Sequence, residues 1–516
     1  MDAFYKIIIS DYKQRTRSYT FLITLAISLY FAYAFLPAAN AAYTTVRIGN
    51  YIGVQNAAWI GYVTAMMTSV FLAMTGFYLV NSGIKKDIDT GVGEIVATTP
   101  ISNFNYLFAK ACSNFLVLLS ITGCVFVMSI ALFFIRSAGY PFDLAQLILP
   151  YLLITLPTIC FVAALAVAGE VFLHRYTILM NVGYFFFFCA MGSLQASTTG
   201  SFDLFGNKPV TNAMQESVAR HSRGTNLALS MGFNFSDKRD FHSFIFNGVD
   251  WTITGILSRL LWIGFGLLII FISAKYFHRF DIKQKVKTKK KSRSLEITLH
   301  AQPLHDIKLS ELPPVTPAYG IMPFVKTELL MLYRKGPRWL WIINTGGMIA
   351  LSLAPLVIAH QMILPCLWFL QVARWSDLAT KEKTNRIHYF TYASYKPLTR
   401  LLPAQMMAGI IISLVLASPL LIRYLLLMQF LPVFNIIMGG IFIVLFAVAI
   451  GILSGGKKLF EILFFLFTYL NIEKVPFTDY FGGMNHGMNY IFLIGGLIML
   501  LAFISFTWRK MEISRV

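Results

Sequence analysis

The chain has 516 residues, of which 57% are hydrophobic and only 13% are charged. A soluble domain carries about twice that charged fraction on its hydrated surface, so the composition excludes an ordinary soluble protein. The formal net charge of +20 could indicate a nucleic-acid partner, but the basic residues cluster between apolar blocks, as the positive-inside rule predicts. We therefore expect an integral membrane protein whose partner is the lipid bilayer and not a nucleic acid.

A basic region with Lys13, Arg15 and Arg17 precedes the first apolar block, which ends near Ala39. This arrangement imitates a signal peptide, but the charged region is too long for one, so we predict a retained first helix.

The five cysteines lie singly inside or beside apolar blocks, without the spacing of a disulfide framework or a zinc site. We predict no metal-binding, cofactor-binding or catalytic residue in this chain.

The apolar blocks have the length that crosses the ~30 Å hydrocarbon core of a bilayer as a helix. They predict an all-α membrane protein with about 12 transmembrane helices in two related six-helix halves, the N- and C-termini both cytoplasmic. The first half gives Thr20–Leu36, Ala57–Val80, Ala111–Ile135, Leu147–Ala168, Ile178–Leu194 and Ile253–Ser273. The second half gives Leu340–Ile358, Met362–Val372, Leu402–Ile422, Phe434–Leu453, Leu459–Leu470 and Tyr490–Phe506.

The predicted domains are a first half over residues 1–275, a linker over 276–320 and a second half over 321–516. Within the first half, residues 195–250 form the predicted external segment, where acidic and basic residues roughly balance. The linker is basic and contains proline, so we expect a cytoplasmic connector that touches anionic headgroups. A regulatory or partner-binding role for the linker is the alternative.

The segments that precede the first span of each half resemble each other. Tyr12-Lys13, followed by Arg17, aligns at one constant offset with Tyr333-Arg334, followed by Arg338. Each segment mixes apolar and basic residues, as expected of a helix that lies in the membrane interface. This internal similarity is the reason for predicting a duplicated unit, because repeats place the transport path at their interface in many carriers.

A loop between the second and third spans has the pattern of an ordered structure. Its apolar residues Ile88, Val92 and Ile95 recur at roughly helical spacing, and Pro100 would end the helix. Ser102 or Asn103 could then cap the next helix. We predict a short helix that protrudes between two spans.

The acidic start of this loop, followed by Glu94 and by the run Thr99-Pro100-Ile101-Ser102, resembles the ABC-2 type permeases, the membrane subunits of ATP-driven exporters. The resemblance implies a plasma (inner) membrane permease for an unknown exported substrate, with two ABC ATPase subunits in trans that carry the ATP and Mg. It also implies that a cytoplasmic coupling helix sits in a groove of the ATPase. The residues it assigns to ATPase coupling are Asp87, Asp89, Glu94, Thr98, Thr99 and Pro100, and in the second half Asp377, Arg386 and Pro397.

The corresponding loop of the second half departs from this pattern. It keeps the acidic start at Asp377 and a late Pro397-Leu398, but Arg386-Ile387-His388-Tyr389 replaces the Glu and Thr-Thr-Pro pattern. Whether the two halves couple equally is therefore open. 

Other features leave two alternative functions. The segment Gly451–Lys458 imitates a phosphate loop, but it joins two membrane blocks and ends in Lys where Ser or Thr holds magnesium, so we predict a tight turn. Glu461 lies early in a short span, where a local ion pair with Lys458 or a wet cavity competes with a substrate role. An ion-coupled secondary transporter would need more such acids, and a membrane-bound transferase would need an acid or His cluster. His221, His242 and His278 are scattered and indicate no such cluster.

Overall fold

The computed structural model describes most of the chain. Residues 278–319, which make up most of the predicted linker, lie outside the described part. The described residues are 2–38, 41, 43–137, 139–173, 176–197, 203–220, 228–235, 241–277, 320–336, 339–472, 475, 478–484 and 488–515.

The N-terminal part of the described chain, up to residue 277, is mainly helical. A π-helical turn, Tyr151–Thr155, joins two of its helices into one continuous rod. The helices are α1 (Asp2–Thr16), α2 (Tyr19–Ala34), α3 (Ala57–Val80), α4 (Gly83–Asp89), α5 (Val92–Ala97), α6 (Asn103–Arg136), α7 (Leu144–Pro150), α8 (Leu156–Leu173), α9 (Thr177–Ser197), α10 (Lys208–Ala219) and α11 (Ile253–Tyr276).

Among the described residues of the C-terminal part, from residue 320, every regular element is a helix. A second π-helical turn, Ala359–Ile363, again joins two helices. The helices are α12 (Met322–Arg334), α13 (Trp339–Leu353), α14 (Leu356–Ile358), α15 (Leu364–Phe369), α16 (Val372–Trp375), α17 (Lys381–Thr384), α18 (His388–Tyr392), α19 (Pro397–Leu426), α20 (Phe430–Ser454), α21 (Lys458–Ile472) and α22 (Met488–Ile513).

Within the described residues, 7 helical segments are long and apolar enough to cross a membrane, and they identify a helical membrane protein. Shorter apolar helices occupy other predicted spans, among them Tyr19–Ala34, Leu179–Leu194, Trp339–Leu353 and Leu356–Phe369. The number of 12 spans, their division into two halves and the position of the termini stay predictions. The 7 long segments are Ala57–Ile88, Asn103–Arg136, Leu144–Leu173, Ile253–Tyr276, Pro397–Leu426, Phe430–Ser454 and Tyr490–Ile513.

A small β-sheet covers one end of the N-terminal part, where the sequence predicted only loops. Its strand order is β3-β1-β2-β4, with β1 antiparallel to β2 and β3, and β2 parallel to β4. Two strands come from the loop between α2 and α3, and two come from the predicted external segment 195–250. The strands are β1 (Tyr43–Ile48), β2 (Tyr51–Gly53), β3 (Leu229–Phe235) and β4 (His242–Phe244).

The core lies along α3, which is buried at nearly every position. It packs against α6, α7 and α8 of the N-terminal part and against α21 of the C-terminal part. By contrast, α11 and α22 expose many large apolar side chains, such as Leu261 and Phe503, as helices facing lipid do. The helix bundle therefore has a sheet end and, opposite it, a loop end that carries α4, α5, α16, α17 and α18.

Candidate functional site

The loop between α3 and α6, here the first loop, folds into two short helices. The sequence predicted one helix, but the chain breaks between α4 and α5 at Gly91, whose φ of 75° lies in the left-handed region that glycine adopts without strain. A Cβ at Gly91 would meet nothing within 4 Å, so the break is set by the backbone and not by packing. Of the two predicted cap residues, Ser102 caps α6, because its side chain accepts a hydrogen bond of 3.1 Å from the backbone N–H of Asn105.

The base of the first loop is held by a buried carboxylate, Glu170 at the end of α8. The backbone N–H groups of Gly83, Ile84 and Lys85 donate to it at 2.9, 2.7 and 3.1 Å. Glu170 thereby satisfies the first N–H groups of α4, which otherwise have no partner within their helix. The loop starts from a fixed point in the bundle.

A buried ion cluster joins the first loop to α1 and α6. Lys110 Nζ lies 3.1 Å from Asp11 Oδ1 and 2.8 Å from Asp87 Oδ2, and its side chain is only 4% exposed. Tyr106 donates its hydroxyl to Asp87 at 2.6 Å, and Arg15 pairs with Asp11 at 2.9 Å. Asp87, a predicted coupling residue, is therefore an anchor at the loop's base and not a part of its exposed tip.

The charge state of Asp11 follows from this cluster. Burial by itself raises the pKa of Asp11, but the positive charges of Arg15 and Lys110 outweigh it, and the pKa is lowered overall. Asp11 is therefore ionised at neutral pH and pairs with both cations. The amphipathic first helix predicted from the sequence is thus joined electrostatically to α6.

The tip of the first loop carries exposed apolar side chains next to an acid. Val92 and Ile95 are 43% and 68% exposed, and Glu94 between them is also exposed. Thr98 and Thr99 donate their hydroxyls to the carbonyls of Ile95 and Val96, each at 2.7 Å, and so close the last turn of α5. Pro100 is exposed after that turn, and the side chain of Asp89 lies outside the described residues.

The second loop, residues 376–396, has its own ion pairs at its base. Asp377 pairs with Lys335 at 2.6 Å, and Lys381 pairs with Glu328 on α12. Burial raises the pKa of Asp377, but the neighbouring cation Lys335, with Lys457 and Lys381, lowers it overall. The neighbouring acid of the loop, Glu382, accepts a hydrogen bond of 2.6 Å from Gln405 on α19.

The tip of the second loop is aromatic. Tyr389 and Phe390 on α18 are 61% and 82% exposed, and Arg386, with a φ of 57°, forms the left-handed turn before that helix. Arg386 is exposed, whereas Pro397 is half-buried as the first residue of α19. The three predicted residues Asp377, Arg386 and Pro397 therefore lie at the base, near the tip and at the exit of the loop.

A chain of polar contacts connects the N-terminal and C-terminal parts at the loop end. Lys458 at the start of α21 donates to the carbonyl of Asn81, immediately before the first loop. The Asn81 amide donates to Asn181 at 3.1 Å, and Asn181 donates to Glu461 at 3.4 Å. Ser376, at the start of the second loop, donates to the other oxygen of Glu461 at 3.2 Å. Sequence reasoning singled out Glu461 but missed that it links the bases of both loops.

The sheet end contains a turn that occurs once in each part. Asp203-Leu204-Phe205-Gly206 and Asp479-Tyr480-Phe481-Gly482 both follow a predicted fifth span, and their glycines have φ values of 74° and 71°. In each turn the Asp carboxylate accepts three backbone N–H groups, at 2.8–3.2 Å and 2.8–3.4 Å. Sequence reasoning missed this repeat, although the shared Asp-x-Phe-Gly spacing was its signal.

The two acidic turns are also buried alike. Asp203 is 4% exposed and Asp479 is 1% exposed. Asp203 lies 3.7 Å from the guanidinium of the buried Arg259 on α11, which also donates to the carbonyl of Asp203. Both turns are therefore fixed parts of the bundle that the sequence would have placed in surface loops.

The segment that imitates a phosphate loop is a turn between two helices, as predicted. Helix α20 ends at Ser454, Gly455 adopts a φ of 63°, and α21 begins at Lys458. Among the described residues, no group of three or more His, Cys, Asp or Glu side chains could hold a metal ion. No protein-family model, curated protein sequence or solved structure matches this chain.

Proposed function

We propose that this chain is the permease subunit of an ABC-2 type exporter in the plasma (inner) membrane, moved by separate ABC ATPase subunits. The observation that supports it most directly is the first loop, which is fixed rigidly at its base and carries an apolar, acidic tip. A lever needs both properties, because a mobile base would dissipate the force and a polar tip would bind its partner weakly. ATP and Mg would belong to the partner.

The similarity of the two parts supports a duplicated permease unit. The leading helix α1 packs on α6 as α12 packs on α19, and α8 packs on α11 as α20 packs on α22. The Asp-x-Phe-Gly turn then recurs after α9 and after α21. Two related six-helix halves in one chain would bind two ATPase copies, one at each loop.

The position of basic residues supports an orientation with the loop end in the cytoplasm. Basic side chains on α1, on both loops and at the end of α22 share that end, whereas the sheet lies at the other. By the positive-inside rule, both termini and both loops would be cytoplasmic and the sheet external. The unit would then present both loops to soluble ATPase subunits.

The test is co-purification of the membrane-inserted chain with an ABC ATPase subunit from the same genome, followed by an ATPase assay. Ile95→Asp places a charge in the apolar tip, and we expect it to reduce ATPase binding by about 30-fold, the loss of one interface hot spot. Met511→Asp is the matched control, since Met511 is 43% exposed at the same end but outside both loops.

The proposal would be overturned if I95D and M511D bound and stimulated the ATPase as well as the unchanged chain. Glu94→Arg gives a second measurement at the same tip, because it reverses the charge without adding one to an apolar position. We expect it to weaken binding by less than I95D does. Hydrolysis of ATP by the purified chain alone would also contradict the proposal.

One observation favours a second candidate function, an ion-coupled secondary transporter. Glu461 is 9% exposed and lies where the two parts meet, as a proton- or sodium-coupling acid would. Substrate uptake or release driven by an ion gradient in ATP-free proteoliposomes would favour this candidate. Loss of that transport in Glu461→Gln would identify the acid responsible.

A further inference from the structure

A cavity of about 770 Å³ lies near the sheet end, where the N-terminal and C-terminal parts meet. Helices α3, α9, α10 and α21 and strand β3 line it. The rings of Phe188 from α9 and Tyr469 from α21 are 5.5 Å apart at its wall, so both parts contribute to it. Its volume is in the range of small-molecule sites, which is about 300–1,000 Å³.

A smaller chamber of about 100 Å³, with mainly apolar lining residues, adjoins this cavity. The two share Val70, Met231 and Tyr469 in their walls, so they lie side by side. The chamber is otherwise lined by side chains of the bundle core, including Phe31, Phe71, Met67 and Met74. Aromatic and methionine side chains accept a flexible hydrocarbon chain well, because they are apolar and methionine adapts its shape.

The larger cavity is polar on the opposite side, along α10. The side chains of Lys208, Thr211, Asn212 and Gln215 line it, which places one cation and several hydrogen-bonding groups on one wall. Asn207, next to the Asp-x-Phe-Gly turn, lines it as well. A ligand would therefore meet an apolar surface at one end and a polar, positively charged surface at the other.

Asn207 provides an independent indication of a ligand. It is only 3% exposed, and its Oδ1 has no hydrogen-bond partner among the described residues. A buried carbonyl oxygen without a partner costs about 1–3 kcal/mol, so such atoms are rare in native proteins. A hydroxyl donor on a molecule bound in the cavity would satisfy it.

We propose that this cavity binds a single-chain amphiphile whose head carries an anionic group and a hydroxyl. The hydrocarbon chain lies against the apolar wall formed by Val70, Phe188 and Tyr469, the anionic group lies at Lys208, and the hydroxyl donates to Asn207. This inference names the class of molecule transported and rests on the proposed export function. Because both parts line the site, a movement of one part against the other would change its shape.

Binding is measured on the full chain in nanodiscs, with lysophosphatidylglycerol as the probe and no ATPase or nucleotide present. Lysophosphatidylcholine, which has no net charge and no free hydroxyl on its headgroup, is the comparison ligand. We expect Lys208→Gln to weaken lysophosphatidylglycerol binding by about tenfold, the loss of one charge-assisted hydrogen bond, and to leave lysophosphatidylcholine binding unchanged. Arg220→Gln, directly after the same helix and outside the cavity, should change neither.

A second variant tests the apolar wall of the cavity. Val70→Trp fills the cavity at that wall, so both amphiphiles should bind at least tenfold more weakly, while inorganic phosphate at millimolar concentration displaces neither. The proposal would be overturned if the unchanged chain, K208Q and V70W all bound both ligands equally well. Displacement of the ligands by free phosphate would also overturn it. Since no ATPase is present, these results are distinguishable from failure of the proposed coupling to ATP.

Discussion

The two parts of the chain share an acidic turn at the sheet end and differ at the loop end. At the sheet end, the same turn places Asp203 and Asp479 under three backbone N–H groups each. At the loop end, the first tip is aliphatic and acidic, whereas the second is aromatic and carries Arg386. The buried acidic turn is the same in both parts while the exposed loop tips differ, so the two loops would make different contacts with a partner.

The largest effect should come from removing the cation at the base of the first loop. Lys110→Met leaves Asp11 and Asp87 as buried carboxylates without their shared partner, and we expect a loss of about 3–5 kcal/mol of unfolding free energy. Lys381→Met, the matched change in the second loop, should cost less because Lys381 is 20% exposed. Chemical denaturation in detergent micelles measures the unfolding free energy of both variants. Equal losses in the two variants would contradict the expected difference between the two loop bases.

A smaller effect is expected at the repeated acidic turns. Asp203→Asn weakens three backbone hydrogen bonds and leaves Arg259 without its buried carboxylate, which should cost about 2–3 kcal/mol. Asp479→Asn should cost about 1.5–2 kcal/mol, since it weakens the same type of hydrogen bonds. Thermal melting of both variants checks whether Asp203→Asn loses more stability than Asp479→Asn. If neither variant lost stability, the two turns would not be structural supports of the bundle.

The smallest expected effect is a dependence of stability on acid pH. The pKa values of Asp11 and Asp377 are lowered in the folded chain, so each contributes stability that is present above its ordinary pKa and is lost as pH falls through the folded pKa. We expect the melting temperature to fall on acidification below about pH 4. Asp11→Asn combined with Asp377→Asn should flatten that fall, and an unchanged pH profile in this double variant would contradict the assignment.

Much of the helical architecture was predictable, because lipid requires apolar segments of a fixed length. The apolar block at Ala57 and the cap at Ser102 were read directly from residue type and spacing. The break at Gly91 was missed because helical periodicity continues across it, so only the backbone angle reveals the second helix.

The sheet and the ion cluster were harder to predict for a different reason. Strand β1 pairs with β3, about 180 residues later in the chain, and no local pattern encodes that partner. Similarly, Lys110, Asp11 and Asp87 meet only because α1, α4 and α6 pack together. The sequence marked Asp87 as functional, but its role as an anchor follows from tertiary contacts alone.

The near-complete burial of α3 has a consequence for how the protein is made. Helix α3 is apolar enough to cross the bilayer, but with Thr64, Thr68 and Ser69 among its inward side chains it reaches its final packing only against other helices. Its packing partners α6, α8 and α21 are all synthesised after it, the last of them about 400 residues later. We therefore expect the packing around α3 to be completed only when translation of the chain is nearly finished.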